Sequence, residues 1–167
     1  MKKIFISYAG AIWCGKSPIT NYISTKLWLP TLNTDSIRSE VCEDFLKYDE
    51  TEAQKRIKKR FNSVIKEWSS FIYDASVDRT LGVLKEVLIK NHYNCFIISI
   101  DLDRDTLLNF YRVKWYSESI KMLDKVYEDH QKFLKNFWED INMHISIKTY
   151  KNRLKNVYRA VNKWIQN

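Results

Sequence analysis

Glycine, proline, cysteine and histidine are all scarce in this chain, at 3, 2, 3 and 3 of 167 residues. Cys14, Cys42 and Cys95 are odd in number and widely spaced, and they form no Cys-x-x-Cys pair. That argues against a disulfide framework and against a zinc site, and it fits a reducing cytoplasm. His92, His130 and His144 are scattered, with no spacing that converges on a metal, so each reads as a surface or packing histidine. A long apolar run is also missing. Met1, Lys2 and Lys3 followed by Ile4, Phe5 and Ile6 resemble the start of a signal peptide. The run stops at Ser7, too short for export or for a membrane span, so a cytoplasmic protein with no membrane role is expected. No repeat, low-complexity tract or linker divides the sequence, and its length suits one domain over residues 1–167.

What is present is apolar and basic. Hydrophobic residues at 45% and aromatics at 14%, spread along the whole chain, set disorder aside. A net charge of +8 and a pI near 9.3 favour anionic partners: nucleotides, sugar phosphates or a nucleic acid backbone. A Lys-heavy surface without any such partner gives the same balance.

Apolar runs alternate with helical periods, the mark of a parallel sheet wrapped by helices. Residues 2–8 read as a first strand, and Ile19, Tyr22, Ile23 and Leu27 as one face of a first helix. Thr31 to Thr34 read as a short strand that delivers Asp35, where Asp35 or Ser36 can cap the next helix. Ile57, Phe61, Val64, Ile65 and Trp68 form an apolar stripe opposite the basic run Lys55, Arg56, Lys58, Lys59 and Arg60. Phe71 to Asp74 read as a strand ended by an acid, residues 78–91 as a helix, and Cys95 to Ile100 as a central strand. Residues 106–138 suit a mobile helical lid, about 104–120, followed by a helix that packs back. Met143, Ile145 and Ile147 alternate as a last strand before a closing helix from Tyr150 to Trp164.

The sharpest signal is Gly10-Ala11-Ile12-Trp13-Cys14-Gly15-Lys16-Ser17, a complete Gly-x-x-x-x-Gly-Lys-Ser pattern between a buried strand and a helix. With so few glycines, chance would give it on the order of one time in a thousand. Glycine is needed because backbone N–H groups must curl around phosphate oxygens. Lys16 then supplies a point charge to the β and γ phosphates, and Ser17 a hydroxyl for Mg²⁺. Gly10, Trp13, Cys14, Gly15, Lys16, Ser17 and Pro18 are the expected nucleotide-binding set. Ile12, Trp13 and Cys14 are bulkier than usual in such a loop, and Pro18 removes a donor from the first helical turn, so a weakened affinity is expected.

The stretch from Gly10 to Val41 resembles the small P-loop kinases that include polynucleotide kinase, the zeta toxins and gluconate kinase. Asn33-Thr34-Asp35-Ser36-Ile37-Arg38 matches the Asn-Arg-Asp-Asp-Tyr-Arg segment of polynucleotide kinase at Asn, the first Asp and Arg. The resemblance implies that Asp35 is the general base and Arg38 a phosphate or substrate contact. It implies the same of Asp74 as an aid to Mg²⁺ and of Arg112, in the zone of the lid, as a stabiliser of the transferred phosphoryl group. The implied fold is the three-layer P-loop NTPase α/β fold, a parallel five-stranded sheet of order 2-3-1-4-5 with helices on both faces.

Plainer readings stand beside these. Asp35 can serve only as a helix cap, and Arg79, Arg112 and Lys114 can be solvated helix residues. The implied activity is ATP- and Mg²⁺-dependent phosphorylation of a hydroxyl on a small-molecule or nucleotide-like acceptor. The alternatives are a 5′-hydroxyl polynucleotide kinase, with Lys55 to Arg60 and Lys148, Lys151, Lys155 and Lys163 along the nucleic acid, and a weakly active nucleotide-binding regulator. The absence of Asn-Lys-x-Asp and Asp-x-x-Gly segments argues against a GTPase switch.

Overall fold

Strand β1 (Lys3–Ala9) is buried at every position, as a strand must be when it is paired on both edges and covered on both faces. It occupies the middle of a parallel sheet of order β2-β3-β1-β4-β5, with β2 Thr31–Asn33, β3 Phe71–Ser76, β4 Tyr93–Asp101 and β5 Ile141–Ser146. This is the α/β class and the strand order read from the sequence. The structure, a computed structural model, describes residues 3–67, 69–114 and 117–167, with backbone alone at 117 and 118. Lys2 in the first strand, Trp68 in the apolar stripe, and Trp115 and Tyr116 in the lid segment lie outside the described residues.

Side chains alternate across a strand, so β1 feeds two cores. Ile4, Ile6 and Tyr8 face helices α1 (Lys16–Leu27), α5 (Arg104–Val113) and α9 (Arg153–Gln166), where Ile19, Ile23, Leu107, Val157 and Val161 meet them. Phe5 and Ala9 face α3 (Glu50–Lys66) and α4 (Leu81–Lys90), against Phe61, Ile65, Leu81 and Leu88. Helix α7 (Leu123–Phe137) supplies Leu123 and Val126 to the first core and Phe133 to the second. Phe5 is fully enclosed and meets Phe71 and Phe61 edge to face, with ring centroids 5.4 and 6.5 Å away. Emptying that position with alanine costs about 3–5 kcal/mol.

Helix α2 (Thr34–Phe45) is capped by Asn33, whose side chain accepts from Ser36 N at 2.9 Å. The cap was expected at Asp35 or Ser36. Asn33 takes it because its backbone is still extended and its carboxamide reaches the third N–H. A cluster of ions then ties α2 to α3: Arg56 reaches Glu40 at 2.6 Å, Asp44 at 2.5 Å and Glu52 at 3.1 Å, and Arg60 reaches Glu40 at 2.5 Å. The run from Lys55 to Arg60 is therefore not a free basic stripe, because both of its guanidinium groups are committed to carboxylates.

Other boundaries move by a few residues. Helix α4 starts at Leu81, not at Asp78, because residues 78–80 form a turn in which Leu81 N donates to Val77 O. Strand β5 ends at Ser146, and Ile147 opens the short helix α8 (Ile147–Tyr150) through a Ser146/Thr149 capping box. The segment expected as a lid comprises α5 and the four-residue helix α6 (Ser117–Ile120). Leu107 and Tyr111 of α5 are buried, and α7 packs back with Leu123, Val126, His130 and Phe133 inward. Among the described residues no helix is long and apolar enough to cross a membrane.

Candidate functional site

The parallel strands end together, and their C-terminal ends deliver Gly10, Asn33, Asp74 and Asp101 to one edge of the sheet, where open α/β sheets place ligands. Gly10 leaves β1 at φ 153°, and a Cβ there would meet Cys14 Sγ at 2.9 Å and Ile100 O at 3.0 Å. Trp13 sits in the left-handed region at φ 64°, and Gly15 at φ 98° forms the N-cap of α1. Alternation of right- and left-handed residues curls a backbone into a concavity lined with N–H groups, which binds anions. The first turn of α1 receives no side-chain cap, so its remaining donors open into the same concavity. Pro18 lies exposed in that turn.

Side chains hold the loop's carbonyl groups one after another. Ala11 O accepts from Lys16 Nζ at 2.8 Å and from Cys14 N at 3.3 Å. Ile12 O accepts from Tyr111 Oη at 2.7 Å, Trp13 O from Lys114 Nζ at 3.0 Å, and Cys14 O from Tyr150 Oη at 2.9 Å. The Trp13 indole N–H donates to Ser119 Oγ at 3.2 Å. Cys14 is wholly enclosed, and burial raises its thiol pKa even though Lys16 Nζ lies 3.7 Å from the sulfur.

Positive charge gathers on one side of the loop, from Lys114 and Arg153. Burial lowers the Lys114 ammonium pKa, and the nearby Lys16 and Arg153 push it in the same direction. The Arg153 guanidinium lies 4.0 Å over the Tyr150 ring, and its Nε is buried with no partner among the described residues. Among those residues no carboxylate forms an ion pair with Lys16, Lys114 or Arg153. Three cations with no acid partner among the described residues, set around a concavity of N–H groups, suit a polyanion.

Facing this cradle is Asp74 of β3, 5% exposed, held by Asn33 Nδ2 at 2.9 Å. Desolvation raises its carboxyl pKa, hydroxyl groups of Ser17 and Thr20 and the charge of Lys16 pull it back, and Asp35 raises it further. Ser17, Asp74 and Asp35 therefore share one electrostatic neighbourhood. Asp35 is free of capping duty, its side chain is 74% exposed, and Arg38 Nη1 lies 3.3 Å from it. Arg38 also approaches Glu50 at 4.0 Å. Arg112 is exposed on the last turn of α5, about a hundred degrees of helix round from Tyr111. It is Lys114, one turn on from Tyr111, that reaches the loop.

A buried pair beside the loop escaped the sequence reading. Asp78 accepts from Gly10 N at 3.0 Å and from Ser76 Oγ at 2.6 Å, and its Oδ1 lies 3.1 Å from His130 Nδ1. Desolvation opposes the Asp78 charge, but His130, Ser76 and Gly10 overcome it and leave the carboxyl pKa below its ordinary value. His130 is thus a packing residue, as expected, stacked on the Phe133 ring at 6.4 Å, but its 2% exposed side chain is also anchored to an acid, which was not expected. Its position between Val126 and Phe133 on the inward face of α7 was the available signal, since a buried imidazole needs a partner. Asp78, Arg79, Ser76, Gly10 and Asp129 line a cavity of about 40 Å³ at the mouth of the loop.

No protein-family model matches the chain, and no curated protein matches it in sequence. Solved structures do match over nearly its whole length. The YorR protein of Bacillus subtilis, in complex with phosphorylated GDP, superposes with a TM-score of 0.65 at 15% identity and covers 98% of each chain. A gluconokinase from Sinorhizobium meliloti gives 0.64 at 7% identity over 99% of this chain and 95% of its own. Shikimate kinase from Bacteroides thetaiotaomicron gives 0.61 at 13% identity over 95% and 98%. At such identities the likeness establishes architecture, and this chain has the fold of the small P-loop kinases.

Proposed function

We propose that this chain is an ATP-dependent phosphotransferase that moves a γ-phosphate to a hydroxyl of a small-molecule or nucleotide-like acceptor. The observation that carries this reading is the loop of residues 10–17, a concavity of N–H groups ringed by Lys16, Lys114 and Arg153, which have no acid partner among the described residues. Lys16 would leave Ala11 O to hold the β and γ phosphates, a short exchange of one oxygen partner for another. Asp35, exposed and steadied by Arg38, would accept the proton of the attacking hydroxyl. Arg38 would then be released toward the acceptor or the phosphate in flight. Arg112 would have to swing toward the cleft to join them, and Lys114 is already at the loop.

The oxygen donors present fit Mg²⁺: the Ser17 hydroxyl and the buried Asp74 carboxylate are hard ligands, oriented by Asn33 and Thr20. Bound there, Mg²⁺ would neutralise charge on the β and γ phosphates. No cluster of three or more His, Cys, Asp or Glu exists among the described residues, so triphosphate oxygens and water would have to supply the rest of the shell.

The phosphorylated GDP bound by YorR supports a nucleotide ligand for a chain of this fold. Pairing of Arg56 and Arg60 with Glu40, Asp44 and Glu52 counts against a polynucleotide running along α3. The test is γ-labelled ATP with Mg²⁺, offered with nucleosides, nucleotides, sugars and 5′-hydroxyl oligonucleotides. Label transfer to one class supports the reading and names the acceptor. No transfer to any class, with ATP left intact, contradicts it.

A further inference from the structure

We propose that Tyr111 and Tyr150, together with Lys114, are positioning residues that preset the phosphate-binding loop from outside and make a loop with tryptophan at a left-handed position competent to bind phosphate. This rests on the reading of residues 10–17 as a triphosphate cradle. In a trans peptide unit the carbonyl of one residue and the N–H of the next point in opposite directions, and the unit is rigid. Holding the carbonyls of Ile12, Trp13 and Cys14 therefore aims the N–H groups of Trp13, Cys14 and Gly15 the other way. The donors come from two separate elements: Tyr111 and Lys114 from α5 and its C-cap, at 2.7 and 3.0 Å, and Tyr150 from α8, at 2.9 Å. The N–H of Cys14 also closes a turn on Ala11 O at 3.3 Å.

The loop needs such support because Trp13 lacks the freedom of glycine. At φ 64° its Cβ is crowded against the following carbonyl, a conformation that only a surrounding structure sustains. Tyr111 and Tyr150 are suited to this because an aromatic ring brings a hydroxyl to a fixed point with little rotamer freedom to lose. Tyr111 is fully buried, and Tyr150 is braced by Arg153 at 4.0 Å and by the Phe110 ring at 5.4 Å. Both hydroxyls act only through the loop backbone, so neither tyrosine is a catalytic residue.

The test is calorimetric titration of the intact protein with inorganic tripolyphosphate and with ATP, on the wild type and on Tyr111→Phe, Tyr150→Phe and the double variant. Tyr93→Phe is the control, since Tyr93 Oη donates to Ser69 O at 2.8 Å at the far end of the sheet. Each loop variant should bind tripolyphosphate about fivefold more weakly, the equivalent of about 1 kcal/mol, and the double variant about 25-fold. Tyr93→Phe should lower the melting temperature without changing either affinity, which a general loss of stability would not reproduce. In turnover the loop variants should raise KM for ATP with kcat little changed. Wild-type affinity in Tyr150→Phe, a half-buried position on an otherwise exposed helix where the variant is expected to fold, would overturn the proposal and leave the kinase reading intact. Failure of the wild type to bind either ligand would overturn both.

Discussion

Replacing Gly15 by alanine is the most economical way to break the cradle, and its cost separates into two parts. The backbone at φ 98° lies beyond the range that L-residues adopt comfortably, a penalty of about 1–2 kcal/mol. The new methyl group would also collide with the Tyr150 hydroxyl, which must then withdraw from Cys14 O and forfeit a hydrogen bond of about 1 kcal/mol. If the loop relaxes away from its binding conformation while the domain stays folded, the total of about 2–3 kcal/mol falls on binding. ATP affinity then drops about 30- to 150-fold. Gly82→Ala is the contrast, because a Cβ there, in the first turn of α4, meets only Phe137 at an ordinary 3.8 Å, and it should bind ATP as the wild type does. In a Tyr150→Ala background the collision is gone, so Gly15→Ala should cost about 1 kcal/mol less there than in the wild type. Calorimetric titration with circular dichroism to confirm folding reads all of this. A Gly15→Ala protein that binds ATP with wild-type affinity would refute the cradle geometry.

Three further outcomes follow from the acids around the site. Asp35→Asn should bind ATP normally yet lose roughly 10²-fold in turnover, measured as label transfer to whichever acceptor is found. Asp74 has a folded carboxyl pKa raised by burial, so its contribution favours folding below the unfolded value and is lost as pH rises through the folded one. At neutral pH Asp74→Asn should therefore melt higher than the wild type while its Mg²⁺ affinity in the presence of ATP falls about 10- to 100-fold. Asp78 has the opposite sign: its lowered folded pKa contributes stability above the unfolded value, and that stability disappears as pH falls through the folded one. Asp78→Ala leaves Gly10 N–H and His130 without their acceptor and should cost about 3–5 kcal/mol, a fall in melting temperature of roughly 6–20 °C. The gap between variant and wild type should close in acid.

The parts of the site legible from sequence are those that lie in one short segment. Gly10 to Ser17 is such a segment, as is Asn33 to Arg38, and apolar runs ending in Asn33, Asp74 and Asp101 announce parallel strands with their ligands at one edge. Distant partners were not legible. Tyr150 meets Cys14 across 136 positions, Lys114 meets Trp13 across 101, and His130 meets Asp78 across 52, so no local spacing encodes these contacts. The bulk of Ile12, Trp13 and Cys14 looked like an obstacle because the donors that hold their carbonyls sit in elements read only as helices. Arg112 and Lys114 show the limit of reading a helix end without its packing. They are two residues apart, and only the one on Tyr111's face reaches the loop.

The central claim is that backbone amides from Trp13 to Ser17 wrap a polyphosphate, and amide chemical shifts of the ¹⁵N-labelled protein test it most directly. Addition of ATP with Mg²⁺ should move the amide protons of Gly15, Lys16 and Ser17 more than those elsewhere in the chain, and inorganic tripolyphosphate should move the same set. Shifts confined to other regions, or none at saturating nucleotide, would contradict it.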